Sequence, residues 1–172
     1  MRVYLAGPDV FLPDAEEVGR AKKEICAGFG LEGVFPMDAD FSALFAEPDL
    51  DRMGWVSFRL MVGLMDGCDA GIANMTPFRG PSMDVGTAVE IGYLHGTGKP
   101  VFGYTNVVAD WADRLGGDPF FVEPFGFVDN CMVEGPVHES GAVVVRHAAP
   151  AGEELTDLAG FTECVRRVAA ML

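Results

Sequence analysis

The chain has 172 residues, and 26 acidic against 12 basic side chains leave a formal charge of −14. With 49% apolar and 22% charged residues, this length is enough for one packed globular domain, which excludes an acidic disordered tail. The charge repels phosphate backbones and anionic lipid, so nucleic-acid and membrane-surface binding through a basic patch are excluded as well; small uncharged or cationic ligands remain.

In chain order, Arg2-Val-Tyr-Leu-Ala6 predicts a short buried strand stopped by Gly7-Pro8, and a helical pattern runs from Pro13 to about Phe29, ahead of Gly30. Residues 33–36 read as a weaker strand, residues 37–51 as a Pro- and Asp-rich connection, and residues 53–65 as an amphipathic helix ended by Asp66-Gly67. Residues 69–74 are expected to be the central strand. The loop 76–83, a helix over residues 85–95 and a strand over residues 100–104 follow. The alternation implies right-handed crossovers and an α/β fold: a parallel sheet of about five strands flanked by helices, within a single domain over residues 1–172. Beyond Tyr104 the pattern weakens. Residues 110–115 suit one or two helical turns, 116–136 read as loop, 141–146 fit a strand or part of a helix, and 154–172 carry an apolar helical stripe.

The first apolar run is too short for a signal segment, and no stretch approaches membrane-spanning length. Cys26, Cys68, Cys131 and Cys164 are scattered and form no CxxC pair, which suits free thiols in a reducing, cytoplasmic setting and gives no metal site. Gly7-Pro8-Asp9 is not a dinucleotide fingerprint. Gly96-Thr-Gly98-Lys99 runs into Pro100 and a strand instead of a helix, so it is not a phosphate loop.

Open parallel sheets bind ligands beyond the carboxyl ends of their strands, which directs attention to residues 7–12, 76–83 and 105 onward. In the second loop Phe78 and Arg79, beside Gly80, are suited to stacking on a planar ring. Asp84 stands where a helix N-cap belongs, and either a cap or a ligand contact fits it. Gly86 and Gly92 each cost a helix about 0.5–1 kcal/mol relative to alanine. Gly86 lies one turn before Glu90 on the same face, so the Glu90 carboxylate extends over a position without a side chain, toward the strand ends. A partly buried carboxylate aimed there is equipment for nucleophilic attack at an anomeric carbon, whereas a solvated helix glutamate is the plainer alternative. Tyr4, on the first strand, is either its hydrogen-bond partner or a packed core residue; Asp9 is either a ligand contact or a turn residue.

The combination Tyr4-Leu-Ala-Gly-Pro-Asp-Val-Phe11, Cys68-Asp-Ala-Gly-Ile-Ala-Asn74, Pro77-Phe-Arg-Gly80 and Asp84-Val-Gly-Thr-Ala-Val-Glu-Ile-Gly-Tyr93 resembles the nucleoside 2-deoxyribosyltransferase family. The resemblance implies a flavodoxin-like subunit in a dimer or hexamer, with active sites completed by a neighbouring chain. It also implies cofactor-free transfer of a 2-deoxyribosyl group between nucleobases, with retention. Glu90 then matches the nucleophile that forms a covalent deoxyribosyl intermediate, Tyr4 the residue that orients it, and Asp84 the aspartate that contacts the nucleoside. Gly7, Asp9, Phe11, Phe78, Arg79 and Gly80 are expected around the substrate, with Phe11, Phe78 and Arg79 as its shield from water. Met61 stands where the family carries a base-contacting Asp or Asn, so Asp9 or Asp66 is expected to supply the proton. His138, in Pro136-Val-His-Glu-Ser140, falls where a neighbour's asparagine contacts the sugar. A related branch that hydrolyses nucleoside 5′-monophosphates carries serine at the Asp84 position, so Asp84 favours nucleosides. The alternatives are an N-glycosidase on the same scaffold and a non-catalytic nucleoside-binding module.

Overall fold

The computed structural model describes residues 1–171. Strands β1 (Arg2–Ala6), β2 (Glu32–Val34), β3 (Ala70–Asn74), β4 (Val101–Thr105) and β5 (Val145–Arg146) form one sheet in the order β2-β1-β3-β4-β5, every pair parallel. This is the flavodoxin-like strand order, in which the chain reverses direction across the sheet between β1 and β3. Every residue of β3 and β4 is buried, so these strands show no alternation between a core face and a solvent face, as expected for strands covered on both faces.

Helices α1 (Ala15–Gly28) and α7 (Ala159–Ala170) cover one face, where Val3, Leu5, Ile72, Phe102 and Tyr104 meet Cys26, Phe161 and Val165. On the other face lie α3 (Leu50–Asp66), α4 (Val85–Gly96) and α6 (Cys131–Glu139), whose Met65, Ile91, Leu94 and Val137 pack on Tyr4, Ala6 and Ala73. Strand alternation therefore decides the fate of Tyr4: one residue earlier or later it would face α1 and α7. Gly71 on β3 lets α4 approach, because a Cβ there would lie 2.4 Å from Leu94 Cδ1.

Two short helices complete the chain, α2 (Ser42–Phe45) and α5 (Trp111–Leu115). The expected connection over residues 37–51 thus contains α2, and α3 begins earlier than the apolar pattern suggested because Asp49 caps it, accepting from Asp51 N and Arg52 N. The expected loop 116–136 is also corrected. Asn130 Oδ1 accepts from Met132 N at 3.0 Å and starts α6, which runs through Pro136 and buries Glu134, Pro136 and Val137. Of the ambiguous residues 141–146 only two pair as β5, and α7 begins at Ala159; the end of the expected stripe, Leu172, lies outside the described residues.

No helix among the described residues is long and apolar enough to cross a membrane. The four cysteines carry no disulfide; Cys26, Cys68 and Cys164 are buried and Cys131 is partly so.

Candidate active site

The carboxyl ends of β1 and β3 open onto the N-terminal end of α4. Asp84 caps that helix, its Oδ2 accepting from Thr87 N at 2.9 Å and from Thr87 Oγ1 at 3.2 Å. Two turns in, Glu90 reaches back toward β1, and Tyr4 Oη donates to Glu90 Oε1 at 2.6 Å. The same hydroxyl lies 3.7 Å from Met61 Sδ. Glu90 Oε2 has no hydrogen-bond donor among the described residues and is free to meet a ligand.

The surroundings raise the Glu90 pKa to about 7: burial is the main cause and the Asp84 charge adds to it, while the bond from Tyr4 opposes them. Burial and the Glu90 carboxylate push the Tyr4 hydroxyl well above its ordinary value, so it stays a donor. The pair is a carboxylate held by one fixed phenol, with its second oxygen unengaged.

Glu90, Asp84, Gly86, Gly7, Phe11 and Met61 line a cavity of about 430 Å³, a size that suits a small organic ligand. Met37, Phe41, Leu44, Phe45 and Ser57 line it as well. No motif in the sequence pointed to these five residues. The available signal was the apolar spacing of Phe41, Leu44 and Phe45 inside an otherwise polar stretch, which α2 turns to one face. No Lys or Arg side chain lines this cavity.

Phe11 stacks on Phe78 with ring centroids 5.6 Å apart, and the Arg79 guanidinium lies 4.9 Å and 4.7 Å from the two ring centres. Arg79 adopts a left-handed backbone, φ 56, uncommon for a residue with a side chain. Phe78, Arg79 and Gly80 line an adjoining depression that shares Asp84 with the cavity; the cluster sits at the rim, with Phe11 as its link to the interior.

Both acids expected to supply the proton lie elsewhere. Asp9 is 1% exposed, and its Oδ2 pairs with Lys22 Nζ at 2.7 Å; the 3₁₀ turn Pro8–Phe11 directs the carboxylate into the core while Val10 and Phe11 face the cavity. Asp66 accepts from Tyr93 Oη at 2.6 Å on the exposed side of the helices. His138, on α6, stacks on Phe127 and bonds Glu134 Oε1 at 3.2 Å, and it is not part of this chain's cavity wall. Among the described residues no group of three or more His, Cys, Asp or Glu side chains is arranged to hold a metal ion.

The sequence profile of the family described as Nucleoside 2-deoxyribosyltransferase matches residues 3–132, a span that includes Tyr4, Asp84 and Glu90. An uncharacterized protein of Schizosaccharomyces pombe is 37% identical over 168 residues, covering 83% of this chain and 79% of its own. The solved structure of a 2-deoxyribosyltransferase from Leishmania mexicana superposes with a TM-score of 0.62 at 25% identity, over 96% of this chain and 97% of the other. A conserved protein from Enterococcus faecalis shares the fold at 18% identity, with a TM-score of 0.58 over 98% of each chain.

Proposed function

Because the chain belongs to the nucleoside 2-deoxyribosyltransferase family, we propose that it transfers the 2-deoxyribosyl group of a deoxynucleoside to a second nucleobase through an ester on Glu90. The observation that carries this reading is the Tyr4–Glu90 pair at the cavity wall, 2.6 Å apart, with Glu90 Oε2 unengaged. Tyr4 fixes the carboxylate through Oε1 and leaves Oε2 to form a bond to C1′ as the C1′–N bond breaks. The first base departs with the electron pair and takes up a proton. A nitrogen of the second base, in the same space, then displaces Glu90 from the opposite face and loses a proton. Two inversions give net retention.

Two carboxylates and no cation on the wall favour an uncharged nucleoside over its 5′-phosphate, whose charge would face Asp84 at close range. The apolar wall of Phe41, Leu44, Phe45 and Met61 suits a base face. The rim formed by Phe11, Phe78 and Arg79 is our candidate for the shield that lets a base, and not water, meet the ester.

Self-association belongs to the same proposal. Leu50, Trp55 and Phe58 on α3, Val85 and Val89 on α4, and Phe120, Phe121 and Met132 are exposed, apolar side chains that a second copy would cover. The cytoplasm, where nucleosides are salvaged, is the proposed site of action.

Denaturing mass spectrometry after addition of a deoxynucleoside tests the chemistry directly. The wild-type chain should gain one deoxyribosyl group and Glu90→Ala should gain none. An adduct that persists in the variant would remove Glu90 from the role of nucleophile.

A further inference from the structure

Beneath the cavity, on the far side of Gly7, lies a buried polar group that the transfer chemistry does not use. Lys22 on α1 is 1% exposed, as is Asp9, and the two pair at 2.7 Å. Lys22 Nζ also donates to Tyr104 Oη on β4 at 2.9 Å and lies 5.0 Å from the centre of the Phe161 ring on α7. Asn74, the last residue of β3, places Nδ2 3.4 Å from both Asp9 oxygens and accepts from Thr76 N through Oδ1. One ammonium and one carboxylate therefore join the end of β1 to α1, β3, β4 and α7.

A buried ion pair is poor evidence for stability, because desolvation offsets most of the attraction and apolar replacements often do as well. What such a pair supplies is direction. Asp9 occupies the second position of the Pro8–Phe11 turn, so fixing its carboxylate below fixes the following residues above. Gly7 is the thin layer between: a Cβ there would lie 2.3 Å from Asp9 Oδ2 and 2.8 Å from Asn74 Cβ. Val10 and Phe11, next along the same turn, line the cavity, and Phe11 continues into the stack with Phe78 and Arg79.

We propose that Asp9 and Lys22 are positioning residues: anchored to each other, they hold the Pro8–Phe11 turn and Phe11 over the rim, and thereby set how the glycosyl ester divides between base and water. This deepens the transferase reading and rests on it. In the competing step water attacks C1′, the C1′–O bond to Glu90 breaks, free 2-deoxyribose forms, and Glu90 returns as a carboxylate with release of a proton. A pair that served folding alone would change how much enzyme is active and leave that division untouched.

The readout is the ratio of free 2-deoxyribose to newly formed nucleoside in a single reaction with deoxyadenosine as donor and a fixed excess of a second base. Inactive or misfolded molecules contribute to neither product, so the ratio reports only on assembled sites. Asp9→Asn and the double variant Asp9→Asn with Lys22→Met should raise the ratio by roughly fivefold to tenfold, within the ~100-fold that an ångström-scale misplacement costs. Phe11→Ala should shift it in the same direction. Tyr104→Phe removes one hydroxyl from the group and preserves the packing, and it should raise the ratio by about twofold, the effect of one weakened contact. A wild-type ratio in Tyr104→Phe and in every Asp9 and Lys22 variant that turns over would overturn the inference. If the wild-type protein forms no exchanged nucleoside, the transferase reading itself fails; transfer with an unchanged ratio refutes only the positioning role.

Discussion

Asp84 and Glu90 are carboxylates on one helix, six residues apart, and their hydrogen bonds separate their duties. Asp84 is engaged by two donors of Thr87 at the helix start, whereas Glu90 has the single donor Tyr4 and a free oxygen. Glu90 attacks only as the carboxylate, so with its pKa near 7 the value of kcat/KM should climb as pH rises through about 7 and fall about tenfold per unit below it. Asp84→Asn removes a charge that raises the Glu90 pKa and should move this limb to lower pH. Tyr4→Phe removes a bond that lowers it and should move the limb to higher pH while reducing the plateau. Superimposable pH–rate profiles for wild type and Asp84→Asn would contradict this account. The sequence made Glu90 legible because Gly86, one turn earlier on the same face, has no reason to sit in a helix unless something passes over it. Asp9 was not legible. A turn aspartate looks the same whether it points out or in, and the residue that settles it, Lys22, belongs to another element.

At the level of elements, α4 sacrifices helix propensity to keep its first turn open. Gly86→Ala recovers up to about 1 kcal/mol of propensity, yet its Cβ would lie 2.9 Å from Asp84 Oδ2, the oxygen that caps the helix, on the cavity wall. The two effects should nearly cancel in thermal or urea unfolding, within ~1 kcal/mol, while kcat/KM falls by roughly tenfold or more. A variant that keeps full activity would mean that neither Asp84 nor the open turn matters to the substrate. The strands at the centre of the sheet were readable as apolar runs, and α4 and its cap from Asp84 and the glycines that follow. The elements that escaped are those shaped by tertiary context. Helix α2 is four residues long and sits among Asp and Pro, and α6 passes through a proline that local rules take as a stop.

For the whole molecule, charge and exposed apolar surface oppose one another. A formal charge of −14 makes two copies repel, whereas the aromatic and aliphatic residues of α3, α4 and the segment before α6 gain by leaving water. Salt shortens the range of the first effect and leaves the second nearly unchanged. Sedimentation velocity at fixed protein concentration should therefore show dimers or larger species that increase as NaCl rises from about 20 to about 300 mM, a range over which the screening length falls from about 20 Å to below 10 Å. A monomer at every salt concentration would leave the exposed surface without this explanation. Charge sign and apolar content were plain from composition, but how the apolar residues divide between core and surface depends on which helix faces the sheet cover, and composition does not hold that information.

The Tyr4–Glu90 pair has a consequence for the order in which the protein comes into being. The two residues are 86 positions apart, joined across β1 and α4, and β1 is flanked in the sheet by β2 and β3. Synthesis proceeds from the N-terminus, and every parallel pairing waits for its crossover to be made. Tyr4 leaves the ribosome 86 residues before Glu90, so its hydroxyl lacks that acceptor until the whole span between them has followed. Until then it is a polar group with nowhere to be buried, and the nascent polypeptide has no reactive centre.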